Sequence, residues 1–273
     1  MEIIKSFTEP PQSNEIKVNP SLSTLARDAR ININGSNNII VIEDGVKIEG
    51  GSINVNGSNS LLYLSRNRHP YRLQLSVNAN TCVFFGPDTF MNGKLTATTS
   101  EGKNILIGRE GLFSYGITMR TADPHLIYDS KTKMRINASK SVLIGDHVWL
   151  GQDTLILKGT HIGSGAILAA GSVIAGKKQP SNTVFGGNPA RQLRDGVFFS
   201  THSVHAWGGD EKTKEHEIME TQEWIYEFDS RETVDYSLAD RKISTAKDAT
   251  SKLNVVNEFL VDTKDVKKNR FFI

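Results

Sequence analysis

Along residues 144–176, large aliphatic side chains return at every sixth position. This spacing does not match an α-helix, whose apolar positions recur at three or four residues. It also does not match the two-residue alternation of a strand with one buried face. Glycine or alanine often follows the aliphatic directly, so the pattern predicts a structural repeat of six residues. The aliphatic positions are Ile144, Leu150, Ile156, Ile162, Leu168 and Ile174.

A parallel β-coil explains this repeat, because three short strands and three tight corners form one turn of about 18 residues. Each large aliphatic points towards the axis of the coil and packs on the residue one turn later. Ile144 is therefore expected beside Ile162, and Leu150 beside Leu168. Each buried side chain contributes about 1.5–3 kcal/mol, and several turns must stack before these side chains are covered.

Short apolar runs separated by glycine, asparagine and aspartate extend the β-rich region back to about residue 31. The 37 residues from Ile107 to Ile144 exceed two turns of about 18 residues by one. Residues 121–140 are polar and lack the repeat, so we expect the chain to leave the coil there and to return out of phase. Loops that project from a rigid scaffold often carry functional residues.

The two ends of the chain have different patterns, which divide it into three parts. In residues 1–30 we expect an irregular arm and then a short capping helix that begins after Ser21. Residues 31–194 form the predicted coil, including the loop at about 121–140. Residues 195–273 are expected to form an extension, with a strand in EWIYEFD and a helix in TAKDATSKLNVVNEFLV.

The composition argues against several classes of function. The chain has 273 residues, and its net charge of +2 gives no strong field for binding nucleic acid. It has no run of about 18 apolar residues that could span a membrane, and its first residues do not resemble a signal peptide. The single cysteine, Cys82, cannot form an internal disulfide and is expected to be a small buried residue. These properties predict a soluble cytoplasmic protein.

Residues 141–194 resemble the hexapeptide-repeat acyltransferases, in which the coil is a left-handed parallel β-helix. The resemblance is carried by IGDHVWLGQDTLILKGTHIG, GAILAAGSVIAGKK and GGNPARQLR. From about residue 90 the chain is also similar to galactoside and maltose O-acetyltransferases. The motifs MNGKLT and TADPHLIYDSKTKMRIN resemble those of the bacterial capsular polysaccharide (sialic acid) O-acetyltransferases. The resemblance does not cover the first 30 residues or those after about 197.

This resemblance implies a mainly β fold and an enzyme that transfers an acetyl group from acetyl-CoA to a sugar hydroxyl of a capsular or other surface polysaccharide. It also implies a homotrimer with active sites in the clefts between neighbouring coils. The histidine of the loop, His125, matches the family's catalytic base. An imidazole with an ordinary pKa of about 6.5 is suited to removing a hydroxyl proton at neutral pH.

Two further residues are candidates for the catalytic centre. Asp123 could orient the imidazole of His125, although an aspartate before Pro124 also suits a turn. Asn92 matches an asparagine that helps to hold the reacting centre in the sugar acetyltransferases, and its amide could stabilise a developing oxyanion. The alternative for Asn92 is a turn position before Gly93.

Residues of the repeat itself are candidates for binding coenzyme A. Trp149 lies at an outward position of its hexapeptide, where an indole can contact a sugar ring or the coenzyme. The same direction would also allow Trp149 to pack against a neighbouring subunit. Small residues at Gly151, Ala169 and Ala170 would let the pantetheine arm lie against the coil and accept hydrogen bonds from the backbone, and they also suit tight corners.

Charged and polar side chains complete the predicted site. Lys177 and Lys178 directly follow the last repeat and, together with Arg191, are expected to bind the phosphates of coenzyme A. An ordinary solvated charge run is the alternative for these cations. Tyr128 and Arg135, in the predicted loop, are candidates for binding the sugar acceptor or its carboxylate.

Two other functions fit the same repeat. An N-acyltransferase acting on an amino sugar nucleotide would keep the fold and the coenzyme, whereas the TADPHLIYD loop favours O-transfer. A non-enzymatic solenoid would use the extension as a scaffold or binding module. His147 and His161 are expected to be surface or interface residues. No metal is expected, because the loop breaks the register between His125 and His161 and no third histidine follows.

Overall fold

The computed structural model shows a parallel β-coil with three sheets along its sides and a helical extension packed against it. The three sides are named sheets A, B and C in the order in which the chain visits them in each turn, and the bends between them are the A–B, B–C and C–A corners. The described residues are 2–7, 14–18, 23–26, 28–206, 208, 218–231, 233–262 and 271–273.

All strands of the described residues belong to these three sheets. Sheet A contains Glu2–Ile4, Thr24–Leu25, Arg30–Asn34, Lys47–Asn56, Tyr71–Asn78, Leu95–Thr99, Thr118–Arg120, Leu155–Leu157 and Val173–Ala175. Sheet B contains Glu15–Val18, Ile39–Ile42, Leu61–Leu64, Cys82–Phe85, Ile105–Ile107, Val142–Ile144, His161–Ile162 and Lys178–Gln179. Sheet C contains Phe90–Met91, Leu112–Phe113, Trp149–Leu150, Ile167–Leu168, Val184–Gly187 and Ala190–Arg194.

The inward packing follows the six-residue register. Ile144 pairs with Ile162 and Leu150 pairs with Leu168 in neighbouring parallel strands, as predicted. All four side chains are buried in one continuous core that runs along the axis of the coil. The mainly β coil predicted from the repeat is therefore confirmed.

Turn length changes along the coil. Early turns advance by 22 residues, as in the hydrogen bond from Asn32 Nδ2 to Asn54 Oδ1, whereas Asp146 and Ser164 in the last turns are 18 residues apart. Ile107 pairs directly with Ile144, so only one turn separates them. The prediction of two turns between these residues is wrong, because the segment between Arg120 and Val142 is inserted into a single turn.

The N-terminal residues join the coil. The predicted capping helix is wrong, because Thr24–Leu25 forms a strand beside Lys47–Ile48, while the expected cap Ser21 lies outside the described residues. The expected irregular arm also contributes strands, since Glu2–Ile4 pairs antiparallel with Arg30–Asn34 and Glu15–Val18 pairs parallel with Ile39–Ile42. Strand pairing satisfies backbone groups that the first turn would otherwise leave open at its edge.

The extension covers the outer face of sheet B. It contains a 3₁₀ turn at Val204–Ala206, helix α1 at Tyr236–Thr245, helix α2 at Ala249–Val256 and a π-helical turn at Asn257–Val261. A second core cluster joins these helices to the outward side chains of sheet B, including the buried Cys82.

The predictions for the extension were correct only in part. α2 and the π-helical turn lie within the predicted helix, but the predicted strand at 223–229 is wrong, because no strand forms in that fully described stretch. Among the described residues, the helices are too short or too polar to cross a bilayer.

Candidate active site

The segment between Arg120 and Val142 leaves the coil at the A–B corner and folds back on itself. Backbone hydrogen bonds close it as a hairpin, with Tyr128 and Arg135 forming an antiparallel bridge and Ile136 donating to the carbonyl of Ile127 at 2.9 Å. This segment is called the His125 loop. It gives His125 a defined position outside the coil.

Asn137 holds the base of the His125 loop together. Its Nδ2 donates to the backbone carbonyl of His125 at 2.8 Å and to Asp123 Oδ2 at 3.0 Å. Its Oδ1 accepts from the backbone N–H of Ile127 at 2.9 Å and from Arg135 Nε at 3.2 Å. Asn137 is buried and its hydrogen bonds are partly buried, so they hold the backbone at His125 and Ile127 in place.

Lys158 ties the loop to the next turn of the coil. Its Nζ lies 2.5 Å from Asp123 Oδ2 and 3.0 Å from the backbone carbonyl of Asn137. The hydrogen bond from Lys158, together with that from Asn137, lowers the pKa of Asp123. Asp123 is therefore an ionised anchor of the loop, and its proposed role in orienting the imidazole of His125 stays a prediction.

Arg135 is engaged in a second anchor. Its guanidinium forms a bidentate pair with Glu101, with distances of 2.7 and 2.9 Å, and Ser139 Oγ donates to the same carboxylate at 2.5 Å. Hydrogen bonds from Arg135 and Ser139 lower the pKa of Glu101 to about 2. The guanidinium predicted to meet a sugar carboxylate is thus paired within the chain, whereas the neighbouring Tyr128 is exposed.

The loop presents His125, near its base, and several apolar side chains to solvent. Within the described residues the imidazole makes no hydrogen bond, so both of its nitrogens are open to a reactant. Large apolar side chains are seldom exposed together without a binding role. Those exposed on this loop are Leu126, Ile127, Tyr128, Met134 and Ile136.

A different edge of the coil carries the candidates from the repeat. Asn92, Gly151 and Ala169 occupy equivalent places at the C–A corner, each directly after a strand of sheet C, with the corner at Ser114 between Asn92 and Gly151. The N–H groups of these three residues bond to carbonyls of the next turn, at 2.7–2.9 Å, so they are not available to a pantetheine arm. A Cβ on Gly151 would lie 2.5 Å from the backbone nitrogen of Ala170, which requires glycine there.

Trp149 projects from the outer face of sheet C, as its position in the repeat predicts. It is 38% exposed, and its ring centroid lies 5.7 Å from that of Phe199 in the extension. The expectation that His147 lies at the surface is wrong. Its ring is stacked between Phe199 and Trp224, and burial lowers its pKa.

The predicted phosphate-binding cations are only partly brought together. Lys177 Nζ and Arg191 Nη1 both donate to the backbone carbonyl of Ala190, at 3.0 and 3.1 Å. Lys178 lies elsewhere, on sheet B, where it lines a separate cavity with His161 and the C-terminal residues. Among the described residues, no group of three His, Cys, Asp or Glu side chains could hold a metal ion.

The candidate residues therefore lie on two edges of one coil. His125 and Lys177 belong to the A–B corner, and Asn92 and Gly151 belong to the C–A corner. Sheet A separates these corners, and a six-residue side spans about 20 Å at about 3.3 Å per residue. A single chain does not place both groups around one reacting atom.

Residues 141–176 match the family model "Bacterial transferase hexapeptide (six repeats)". The chain carries the hexapeptide repeat of bacterial transferases. This finding confirms the resemblance predicted from the repeated aliphatic positions and their glycine-rich corners.

The chain is 31% identical over 143 residues to the polysialic acid O-acetyltransferase of Neisseria meningitidis. That match covers 52% of this chain and 66% of the relative, which is slightly less than two thirds of the relative's length. The described fold is similar to the structure of the polysialic acid O-acetyltransferase OatWY, with a TM-score of 0.60 and 26% identity over 73% of this chain and 93% of that one.

The structure of the polysialic acid-specific acetyltransferase NeuO has a TM-score of 0.62 and 24% identity, and the match covers 74% of this chain and 91% of that chain. At this identity the similarity concerns the fold alone. The relatives named here are acetyltransferases, in agreement with the enzyme class that the sequence motifs predict.

Proposed function

We propose that this protein is an acetyl-CoA-dependent O-acetyltransferase that modifies a sugar hydroxyl of a bacterial capsular or other surface polysaccharide. The observation that carries the proposal is the His125 loop, which holds an unbonded imidazole outside a hexapeptide coil by a buried asparagine and two ion pairs. The names of the relatives favour a polysaccharide acceptor, and sialic acid is one candidate sugar.

In the proposed reaction both substrates bind together and the acetyl group passes directly between them. An imidazole nitrogen of His125 accepts the proton of the sugar hydroxyl. At the same time the hydroxyl oxygen bonds to the carbonyl carbon of the thioester. The tetrahedral intermediate then expels the coenzyme A thiolate, which takes the proton from the imidazolium. The side-chain N–H of Asn92 would donate a hydrogen bond to the oxyanion, where a preorganised donor contributes most to stabilising the transition state.

Placement of the coenzyme follows from the corners of the coil. Lys177 lies at the same A–B corner as the His125 loop, two strand spacings further along the axis, or about 10 Å. We propose that Lys177 and Arg191 meet the phosphates and that the acetyl end reaches His125. Both cations donate to the carbonyl of Ala190, so they lie close together and could bind one phosphate group.

A second copy of the chain is proposed to complete the site. The C–A corner with Asn92, together with Trp149 on the adjoining outer face of sheet C, would come from a neighbouring coil in a homotrimer and face the His125 loop. The exposed apolar side chains of that loop, such as Ile136 and Met134, support an interface at this place. Closed rings of this kind use different surfaces of each subunit at one contact.

The test measures acetyl transfer from acetyl-CoA to purified surface polysaccharides, detected by mass spectrometry. His125→Ala should lower kcat by about 10²- to 10⁴-fold, which is the usual contribution of a general base. His202→Ala, which alters an exposed histidine of the extension, is the matched control and should retain full activity. Normal turnover in His125→Ala would remove this residue from the mechanism.

A further inference from the structure

The extension closes a cavity of about 460 Å³ against the outer face of sheet C. Phe90 and Leu112 of neighbouring strands form its floor. Arg68, Asp88 and Glu110 approach from the coil, and Glu223 and Trp224 approach from the extension. The cavity therefore exists only because residues after the hexapeptide repeat return to the coil.

The wall supplied by the extension is firmly attached. Asn182 Nδ2 donates to the backbone carbonyls of Trp224 and Val197, at 2.8 and 2.9 Å, and its Oδ1 accepts from the backbone N–H of Tyr226 at 2.8 Å. The indole of Trp224 stacks on the ring of His147, with centroids 5.1 Å apart and planes 5° apart. These contacts fix the indole and the adjacent Glu223 over the strands.

The lining combines flat rings with carboxylates. His69 meets the ring of Phe90 edge-on at 4.7 Å, and the indole of Trp224 also lines the cavity. Asp88, Glu110 and Glu223 supply oxygens that accept hydrogen bonds from hydroxyl groups. A pyranose has apolar C–H faces that pack on aromatic rings and hydroxyls around its edge, so this pairing of groups suits a sugar ring.

The charge of the lining restricts the sugar further. The three carboxylates outnumber the one guanidinium in the described lining, and that guanidinium, on Arg68, is paired with Asp88 at 3.1 Å. Desolvation is the main cause that raises the pKa of Glu110; the cation of Arg109 opposes the rise, and the carboxylates of Asp146, Asp88 and Glu223 add to it. A sugar carboxylate would meet the like charges of Asp88 and Glu223 here, so the lining favours an uncharged sugar.

We propose that this cavity is a glycan subsite for an uncharged pyranose residue of the acceptor, and as an acceptor subsite it rests on the proposed function. Phe90, Leu112 and Trp149 are aligned on consecutive strands of sheet C, so the floor of the cavity lies about 5–10 Å from Trp149. A glycan chain that enters the proposed active site beside Trp149 would place a neighbouring residue in the cavity.

Binding is tested with a printed array of neutral and sialylated glycans, followed by titration of the strongest neutral glycan. The double variant Glu110→Gln, Glu223→Gln should bind that glycan about tenfold more weakly, because neutral amides replace charge-assisted acceptors. Trp224→Ala should weaken it by a similar or larger factor. Glu220→Gln removes one carboxylate charge from the extension outside the cavity and should leave the Kd unchanged.

Several outcomes would overturn the subsite. These are a lack of binding to every neutral glycan, a preference for sialylated glycans that the double variant does not alter, or an unchanged Kd in the double variant. The unfolding midpoint of Trp224→Ala is measured in parallel, and the two glutamine substitutions carry the test if that variant does not fold. His125→Ala should retain glycan binding, so failure of the catalytic proposal is distinguished from failure of the subsite.

Discussion

At the scale of single residues, Asn137 connects the most groups in the His125 loop. Replacing it by alanine leaves the carbonyl of His125 and the N–H of Ile127 without their partners, and each such loss costs about 1–3 kcal/mol when the group is buried. We expect Asn137→Ala to lower kcat at least tenfold while the KM for acetyl-CoA changes little. Steady-state kinetics with both substrates varied will check this prediction.

Asn182 provides the control for that experiment. It is also a buried asparagine that holds two backbone carbonyls and one backbone N–H, but it secures the extension instead of the loop. Asn182→Ala should loosen the extension and leave hydrogen exchange of residues 121–140 unchanged. Equal loop exchange in Asn137→Ala and the wild type would contradict the positioning role of Asn137.

The ion pair between Arg135 and Glu101 makes anchoring of the loop dependent on pH. The pKa of Glu101 falls from its ordinary 4.5 to about 2 in the folded protein, so this anchor is fully present above 4.5 and is lost as pH falls towards 2. We expect pepsin to cleave the loop faster in Glu101→Gln than in the wild type at pH 4.5, and the two rates to converge near pH 2. Parallel rates over the whole range would show that the pair does not anchor the loop.

At the scale of elements, the corners of the coil depend on close approach between turns. A methyl group at Gly151 would meet the backbone of Ala170, which cannot move without shifting a strand of the coil. We therefore expect Gly151→Ala to lower the free energy of unfolding by about 2 kcal/mol, in the range of overpacked sites. Chemical denaturation of the purified protein measures this difference.

Gly171→Asn is the control for the corner prediction. Gly171 has a φ of +68° and no atom near a substituted Cβ, and asparagine tolerates this conformation. Comparing the two variants therefore distinguishes the cost of a steric contact from the cost of an unfavourable backbone conformation. A larger loss of stability in Gly171→Asn than in Gly151→Ala would show that contact between turns is not the reason for glycine at the corner.

The sequence predicted the later turns well, because one aliphatic per six residues is visible wherever each side of the coil has the same length. The earlier turns do not show this period, because their strands are longer and each turn takes 22 residues. The strand Thr24–Leu25 was missed because its partner, Lys47–Ile48, is distant in the sequence and outweighs a local helical spacing. Secondary-structure propensity depends on residues that are close in the sequence, so it does not predict pairing with a distant strand.

The candidate site was predictable to a similar degree. His125 and the outward direction of Trp149 follow from motifs and register. Lys158 and Glu101 have no local signature, because they act on residues up to 38 positions away in the loop. The sequence also did not show that the predicted residues lie at two different corners, because assigning a residue to a corner requires the observed pairing of the strands.

At the scale of the whole molecule, a site shared between copies predicts that two inactive variants complement each other when their subunits are mixed. His125→Ala and Trp149→Ala should each be inactive, yet refolding an equal mixture should restore about a quarter of wild-type activity in a closed ring of randomly mixed subunits. Restoration requires that one chain supplies the imidazole and its neighbour supplies the indole. Acetyl transfer by the mixture measures it, and sedimentation of each variant confirms that assembly is intact.

Failure of the mixture to recover activity, with both variants assembled, would place the imidazole and the indole of each site in the same chain. Activity in either single variant would remove that residue from the reaction. As a control, His202→Ala mixed with the wild type should give full activity, since its exposed ring belongs to neither corner.

At each end of the coil, one edge strand runs antiparallel to its neighbour. Glu2–Ile4 runs antiparallel to Arg30–Asn34 at one end, and Ala190–Arg194 runs antiparallel to Val184–Gly187 at the other. A solenoid with open parallel edges could stack end to end without limit, as cross-β polymers do. On the sheets that they close, the reversed strands replace the parallel edge with an antiparallel one, which disfavours continuation of the coil into a filament there while sideways association remains free.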